Sequence, residues 1–430
     1  MNNTKTHSVD HSNEVAPKVP LRYWIVVATF LLSVLLYIDR ICVSVAKESI
    51  VSDLSLTDKE MGWVLSAFAL GYALFQAPSG WLADRFGPRK ILTTVVILWS
   101  LFTALTAAAY NYMSMLIVRF LFGAGEAGAF PSISRVNFSW IPIEERGLVT
   151  GINFSGSRLG AAFALPTLAW LIAVIGWKVT FVVLGLIGVF WALLWFWFFR
   201  DEPQSHPFIS THEKHHILEK RQKNTTTTSS INVSTLFGSG NMWLVMMQYF
   251  CSNFIFYFSL TWLYPHLKAK YALDSVSAGL YASLPLIMGA CGNWLSGWWV
   301  DRIYAKNQWQ LSRRLPAMVG FACAAIGLVC SLYMENVIGA VLFLSLAIFG
   351  ADMTLSPSWS FCVDIGKNNA GTVSGTMNMA GNVGAFVTSL AFPYLKDWFG
   401  SVTPFFLIGA GLCVMGILCW SKMDAEKPLT

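Results

Sequence analysis

Gly80-Trp81-Leu82-Ala83-Asp84-Arg85-Phe86-Gly87-Pro88-Arg89-Lys90 is a short basic turn between two apolar runs, and the chain uses its first part twice. The echo, 217 residues later, is Gly297-Trp298-Trp299-Val300-Asp301-Arg302. A second echo supports the first. Phe122-Gly123-Ala124, followed by Glu126 and Pro131, returns as Phe349-Gly350-Ala351-Asp352 with Pro357. Each echo falls at the same place in its half: after a second apolar run, and within a fourth. Weak repeats of this length describe two similar halves around a centre; a solenoid would repeat at shorter periods.

The apolar runs around these echoes set the fold class. Of 430 residues, 55% are hydrophobic and 12% charged, with 19 Trp, 31 Phe and a mean hydropathy of +0.55. So much apolar surface belongs in lipid, which excludes a disordered regulator, a coiled coil and a nucleic-acid module. Runs long enough to span a bilayer lie near 22–44, 61–83, 91–110, 113–137, 147–173 and 177–199. They resume near 241–265, 276–300, 315–333, 337–361, 370–395 and 402–420. An all-α membrane protein of twelve transmembrane helices in two six-helix bundles is expected, since strands would alternate polar and apolar residues. With both termini inside, cytoplasmic segments carry 19 Lys and Arg against 6 outside, which predicts N-in and C-in. The same rule accounts for the net charge of +6.

The expected divisions are a disordered cytoplasmic N-terminus (1–20), a first bundle (21–199), a cytoplasmic linker (200–240), a second bundle (241–421) and a short tail (422–430). The first 20 residues are polar, so no cleaved signal peptide is expected. The linker mixes charges with a polar run, Thr225–Ser230, and reads as flexible. It also holds His212-Glu213-Lys214-His215-His216, formally a zinc-protease pattern. A charged loop supplies neither a third ligand nor a dry pocket, so a solvated short helix is expected there and no metal. The eight cysteines form no CxxC pair and read as small buried hydrophobes.

Gly80-x-x-x-Asp84-Arg85-x-Gly87-x-Arg89-Lys90 resembles the loop motif between helices 2 and 3 of the major facilitator superfamily. There, Asp84 and the basic residues would pair with helix ends and latch the cytoplasmic face. Further segments are similar to the anion:cation symporter family, which includes bacterial sugar-acid transporters and eukaryotic phosphate, sialic acid and vesicular glutamate carriers. They are Tyr37-Ile38-Asp39-Arg40, Gly123-Ala124-Gly125-Glu126 with Pro131, Trp140-Ile141-Pro142 with Glu145-Arg146-Gly147, and Ser155 to Gly160. In the second half, Trp359 with Asp364-Ile365, and Ala370 to Gly375 through Asn378 and Gly381-Asn382, fit the same family.

An ionisable group at the bilayer centre costs about 2.5–3.5 kcal/mol on insertion scales, so each one calls for a reason. Arg119 and Glu126, seven residues apart, share a helix face about 10 Å apart and are expected to face a common cavity. Asp39 and Arg40 are adjacent and diverge by about 100°; both are expected near the cavity's outer end, with Glu126 near its middle. Carboxylates in low dielectric can exchange protons, while arginines stay charged and grip an organic anion. Asp39–Arg40 and Arg119–Glu126 as neutralising ion pairs are the plainer alternative.

The resemblance assigns proton coupling to Asp39 and Glu126, the substrate's acidic group to Arg40, and pairing or gating to Arg119. It places Tyr37, Tyr72, Ser157 and Asn378 at the central site; Trp359 either packs or stacks on substrate. Arg158 and Asp352 go beyond the usual pattern. They imply a substrate with more than one acidic group, an extra protonation site, or a pair across the halves.

The function expected is proton-coupled symport of a sugar acid or a di- or polycarboxylate by alternating access. An exporter or exchanger on the same fold, or uptake of a citrate-type siderophore, is the alternative; a metal-dependent membrane enzyme ranks last. A non-transporting sensor would need an appended signalling domain, which the short tail does not supply. Glycines at 123, 125 and 128, 156 and 160, and 371 and 375 let helices approach and slide. No GxxxxGK[ST] occurs, so ATP is not expected to drive the protein. Protons are the only coupling partner expected, with no cofactor, in a monomer of the bacterial inner membrane.

Overall fold

The computed structural model describes residues 19–222, 232–273 and 275–429. Most of the expected N-terminal tail and the Thr225–Ser230 run lie outside these residues. Among the described residues every regular element is helical. The first half comprises α1 (Leu21–Val45), α2 (Lys47–Leu54), α3 (Asp58–Phe86), α4 (Pro88–Thr106), α5 (Tyr112–Glu126), α6 (Ala129–Trp140), α7 (Arg146–Ile175) and α8 (Trp177–Phe198). Two short helices follow, α9 (Thr211–Lys220) and α10 (Val233–Gly238). The second half holds α11 (Gly240–Thr261), α12 (Leu263–Lys270), α13 (Ser275–Tyr304), α14 (Trp309–Leu332), α15 (Val337–Met353), α16 (Leu355–Gly366), α17 (Ala370–Phe399) and α18 (Thr403–Lys422). Eight helical stretches, α1, α8 and α18 among them, are long and apolar enough to cross a membrane.

Local chemistry sets the boundaries. Gly87, at φ +85°, turns the chain out of α3, and Pro88 opens α4 where its missing N–H costs nothing. Thr57 and Glu60 form a capping box at the start of α3. Two spans expected as continuous are broken, and the breaks are equivalent. α5 ends at Glu126 and α15 at Met353, each four or five residues before a proline, Pro131 or Pro357. A proline ring clashes with the carbonyl four residues back, here Ala127 and Met353. The breaks leave Glu126 and Asp352 at the ends of their helices, deep in the protein.

α3, α7, α13 and α17 are 29 or 30 residues long, or about 45 Å at 1.5 Å per residue, so they overrun a 30 Å hydrocarbon layer. Their overhang joins the halves at the basic end of the molecule, where α3 packs on α17 and α7 on α13. Backbone meets backbone there. A β-carbon on Gly371 would stand 2.6 Å from the Gly80 carbonyl oxygen, and one on Gly297 would stand 2.7 Å from that of Gly147.

The segment expected as a flexible linker is packed over its described part. Asp201 accepts the Arg89 N–H at 2.8 Å, Trp140 Nε1 donates to the Arg200 carbonyl at 2.8 Å, and Arg221 pairs with Glu202 at 2.7 Å. Burial pushes the Asp201 carboxyl above its ordinary value, against the opposing pull of the Arg89 N–H. Glu213, centre of the zinc-like pattern, accepts the Leu21 and Arg22 N–H groups at 2.8 and 2.9 Å and so caps α1. Its neighbours His212 and His215 are exposed.

Candidate functional site

A cavity with about 460 Å³ of empty space, part of it open to solvent, lies between the halves. Its floor toward the basic end is aromatic. Phe130 and Phe154 stack at 4.9 Å, and Trp359 tilts against them at 5.7 and 5.1 Å. Trp359 Nε1 donates to the Tyr249 hydroxyl at 2.9 Å, which fixes the indole. Beneath this floor a second, smaller cavity is lined in part by Ser134, Asn137, Thr150 and Asn153.

Arg40 reaches the first cavity from α1 and pairs with Glu126 at the end of α5. Its guanidinium carbon lies 4.4 Å from the Tyr72 ring centroid, 5.0 Å from that of Tyr37 and 5.2 Å from that of Phe68. Three aromatic faces thus hold the cation in a water-poor cage. Asp39, one residue earlier, points the other way and accepts Trp99 Nε1 at 3.1 Å. Arg119 is buried, packed on Phe122 at 4.5 Å and Phe68 at 5.3 Å.

This rearranges the expected set. Arg40, Tyr37, Tyr72, Arg158, Asp352, Trp359 and Asn378 line the cavity, whereas Asp39, Glu126 and Arg119 stand behind it. Ser157 is fully buried with its hydroxyl unpartnered and is not among the lining residues, because its neighbour Arg158 takes the cavity-facing direction on α7. Neither plain pairing holds: the ion pair is Arg40–Glu126, not Asp39–Arg40 or Arg119–Glu126. Asp39 Oδ1, Glu126 Oε2 and Arg119 Nε are buried without a hydrogen-bond partner. Each carboxylate therefore keeps one oxygen free to take a proton.

Arg158 and Asp352 form a two-pronged pair across the halves. Nε and Nη2 donate to Oδ2 and Oδ1 at 2.7 and 2.6 Å, and the guanidinium carbon lies 3.5 Å from the Phe256 ring centroid. Sequence reasoning missed the α11 wall of the site, made by Tyr249, Asn253, Phe256 and Tyr257. Tyr249, Asn253 and Tyr257 recur every four residues, a polar stripe on an apolar helix that was open to reading. Asn378 and Asn382 share a face of α17 in the same way, and Tyr257 donates to Asn382 at 3.4 Å.

At the basic end, Asp84 accepts the Gly371 and Thr372 N–H groups at 2.9 and 2.6 Å and the Thr372 hydroxyl at 2.7 Å. Asp301 accepts the Gly147 and Leu148 N–H groups at 2.7 and 2.6 Å. Each carboxylate from one half sits on a helix N-terminus of the other. Asp364 lies between Arg313, at 2.7 Å, and Arg146, all three fully buried. The remaining basic residues of the quoted turn stay within the first half. Arg89 donates to the Phe196 carbonyl at 2.9 and 2.7 Å, and Arg85 lies over Trp81 and Phe86. Lys90 is exposed.

Residues 29–389 match the Major Facilitator Superfamily. The chain is 34% identical to a probable sulfoacetate transporter of Cupriavidus necator, over 93% of each chain. It is 30% identical to a probable galactarate/D-glucarate transporter of Escherichia coli K12, over 97% of this chain and all of the other. The fold is similar to that of a proton:xylose symporter, with a TM-score of 0.75 and 17% identity over 95% of this chain and 97% of that one. With its long apolar helices, its two echoing halves and transporter relatives along nearly its whole length, this chain is a multi-pass membrane protein that belongs to the major facilitator superfamily.

Proposed function

We propose that the protein is a proton-coupled symporter of small organic anions, working by alternating access from twelve spans with both termini in the cytoplasm. The observation that carries this reading is the Arg40–Glu126 pair. A permanent cation faces the cavity, and the carboxylate that neutralises it stands behind with one oxygen unpartnered. A proton on Glu126 cancels its charge and frees the Arg40 fork for a substrate carboxylate or sulfonate. Asp39 supplies the second protonation site, and Arg119, whose charge acts on both carboxylates, sets their balance. Tyr37, Tyr72 and Asn378 offer hydrogen bonds to the substrate's polar groups, while Trp359 and the aromatic floor bar its way inward. The relatives named for sulfoacetate and for galactarate/D-glucarate support the anion class. The latches at Asp84 and Asp301 then close the cytoplasmic side while the cavity loads from outside.

The test is internal pH in proteoliposomes holding purified protein, on adding sulfoacetate, hexonates, hexuronates, hexarates or citrate. Acidification with one acid class, absent in Glu126→Gln, is expected. Uptake of labelled acid with no pH change, or uptake that needs sodium, would sink the proton-coupled reading.

A further inference from the structure

Two guanidiniums reach the central cavity, Arg40 from α1 and Arg158 from α7, and Tyr37 stands between them. Its ring centroid lies 5.0 Å from the Arg40 guanidinium carbon, and its hydroxyl is 3.5 Å from Arg158 Nη1. Their counter-charges differ in kind. Glu126 holds Arg40 from behind the cavity, whereas Asp352, which holds Arg158, is itself part of the cavity wall. Asp352 comes from the opposite half of the chain. Gly289 makes room for it, since a β-carbon there would collide with Asp352 Oδ2. The two parallel bonds from Arg158 are the geometry in which a guanidinium receives any carboxylate or sulfonate end. In chemical terms Asp352 is a tethered acid group seated where a ligand's acid group would fit.

We propose that Arg158 is the seat for a second acidic group of the substrate, contested by Asp352, so that the site selects anions acidic at both ends over monoanions. The inference rests on the anion-symport reading above and narrows it to a substrate class. One acid end goes to Arg40 and the other to Arg158, with the Tyr37 ring between the two cations. Occupancy also becomes a conformational signal. While Asp352 holds Arg158 it ties the halves together across the site; a substrate that takes Arg158 replaces that tie with its own. The exchange keeps Arg158 paired, and the displaced Asp352 carboxylate, itself part of the cavity wall, turns to the water of the open cavity.

The test is calorimetric titration of the full-length detergent-purified protein with matched acids. Galactarate and galactonate share six carbons and four secondary hydroxyls and differ at one end, a carboxylate in the first and a hydroxymethyl in the second; sulfoacetate and acetate form a shorter pair. Each two-ended acid is expected to bind at least about tenfold tighter than its partner. Asp352→Asn removes the competitor and should tighten two-ended acids several-fold further. The double variant Arg158→Gln/Asp352→Asn leaves no buried charge alone and should shrink the preference to within about twofold. Equal binding of both acids by the unaltered protein, an undiminished preference in the double variant, or no gain in Asp352→Asn would each make the fork a purely structural tie. Failure of every acid to bind the unaltered protein, with Arg40→Gln indistinguishable from it, overturns the anion-symport reading and this inference together. Binding of the acids by the unaltered protein with no discrimination between one-ended and two-ended members overturns the second seat alone.

Discussion

Asp84 and Asp301 occupy echoing positions in the sequence and perform the same act in the structure, each capping a helix N-terminus in the opposite half. Asp84 receives the first N–H groups of α17, and Asp301 those of α7, at 2.6–2.9 Å. The favourable field of a helix N-terminus adds to the hydrogen bonds. The basic end is therefore shut by two related clasps, and either should be weakened by removing charge alone. Asp84→Asn and Asp301→Asn are each expected to cost the closed state about 1 kcal/mol, or about fivefold in the closed-to-open ratio. Spin-label distances across the basic end should show the shift, with similar size in both variants. An unchanged distribution in either one would remove the clasp.

Closure also demands glycine where the backbones touch. Gly80→Val puts a side chain against the Gly371 carbonyl, with which even a β-carbon collides. The variant should insert and fold, show normal circular dichroism, and lose transport by at least about tenfold, because overpacking of this kind costs about 1–3 kcal/mol. A cysteine probe at the basic end should become reactive throughout. Normal transport by this variant would mean that the two helices never need this contact.

Much of this was legible in the sequence, and the rest was not for identifiable reasons. The turn at Gly80–Lys90 and its echo pointed to two related halves and to Asp84 as a latch. They could not say that its partner is Gly371, since nothing local links residues 287 positions apart. Asp39 and Arg40 were expected to diverge, and they do; the choice of Glu126 as partner for Arg40 depends on how α1 and α5 are packed. Proline-induced breaks at Pro131 and Pro357 were hidden within strongly apolar runs. The α11 stripe of Tyr249, Asn253 and Tyr257 was a period-four signal overshadowed by the charged residues elsewhere.

The Arg40–Glu126 pair predicts the sign of a pH effect. On the proposed mechanism a proton on Glu126 frees Arg40, so affinity for the organic anion should rise as pH falls. Glu126→Gln mimics the protonated state and should bind the anion with a flat pH profile while failing to accumulate it. Arg40→Lys keeps the charge but loses the planar fork, and should weaken binding about 10–100-fold at every pH. Calorimetry between pH 5 and 8 checks both. A Glu126→Gln profile as steep as the parent's would assign the proton elsewhere.

Glu213 offers a test with a different readout. Its carboxylate caps α1 and lies 3.4 Å from Arg22, itself paired with Glu145 at 2.9 Å. Glu213→Gln should lower stability by about 1 kcal/mol through the weakened cap. A metal chelator should leave both melting and transport unchanged in the parent protein. Loss of transport on chelation, restored by zinc, would reinstate the metal reading of His212 and His216.

The aromatic floor separates two cavities, so its members should differ in effect according to what each contributes. Trp359→Phe keeps a ring against Phe130 and Phe154 but loses the hydrogen bond to Tyr249, about 1 kcal/mol, and the packing of the indole's second ring. Phe154→Ala removes a ring shared by both cavities and should cost about 3–5 kcal/mol in packing. In joining the two cavities it also opens a path past the floor toward Asn137 and Thr150. Liposomes preloaded with substrate should then leak it without a proton gradient in Phe154→Ala, while Trp359→Phe stays coupled. A tight Phe154→Ala variant would place the inner barrier lower, at the Arg146–Asp364–Arg313 cluster.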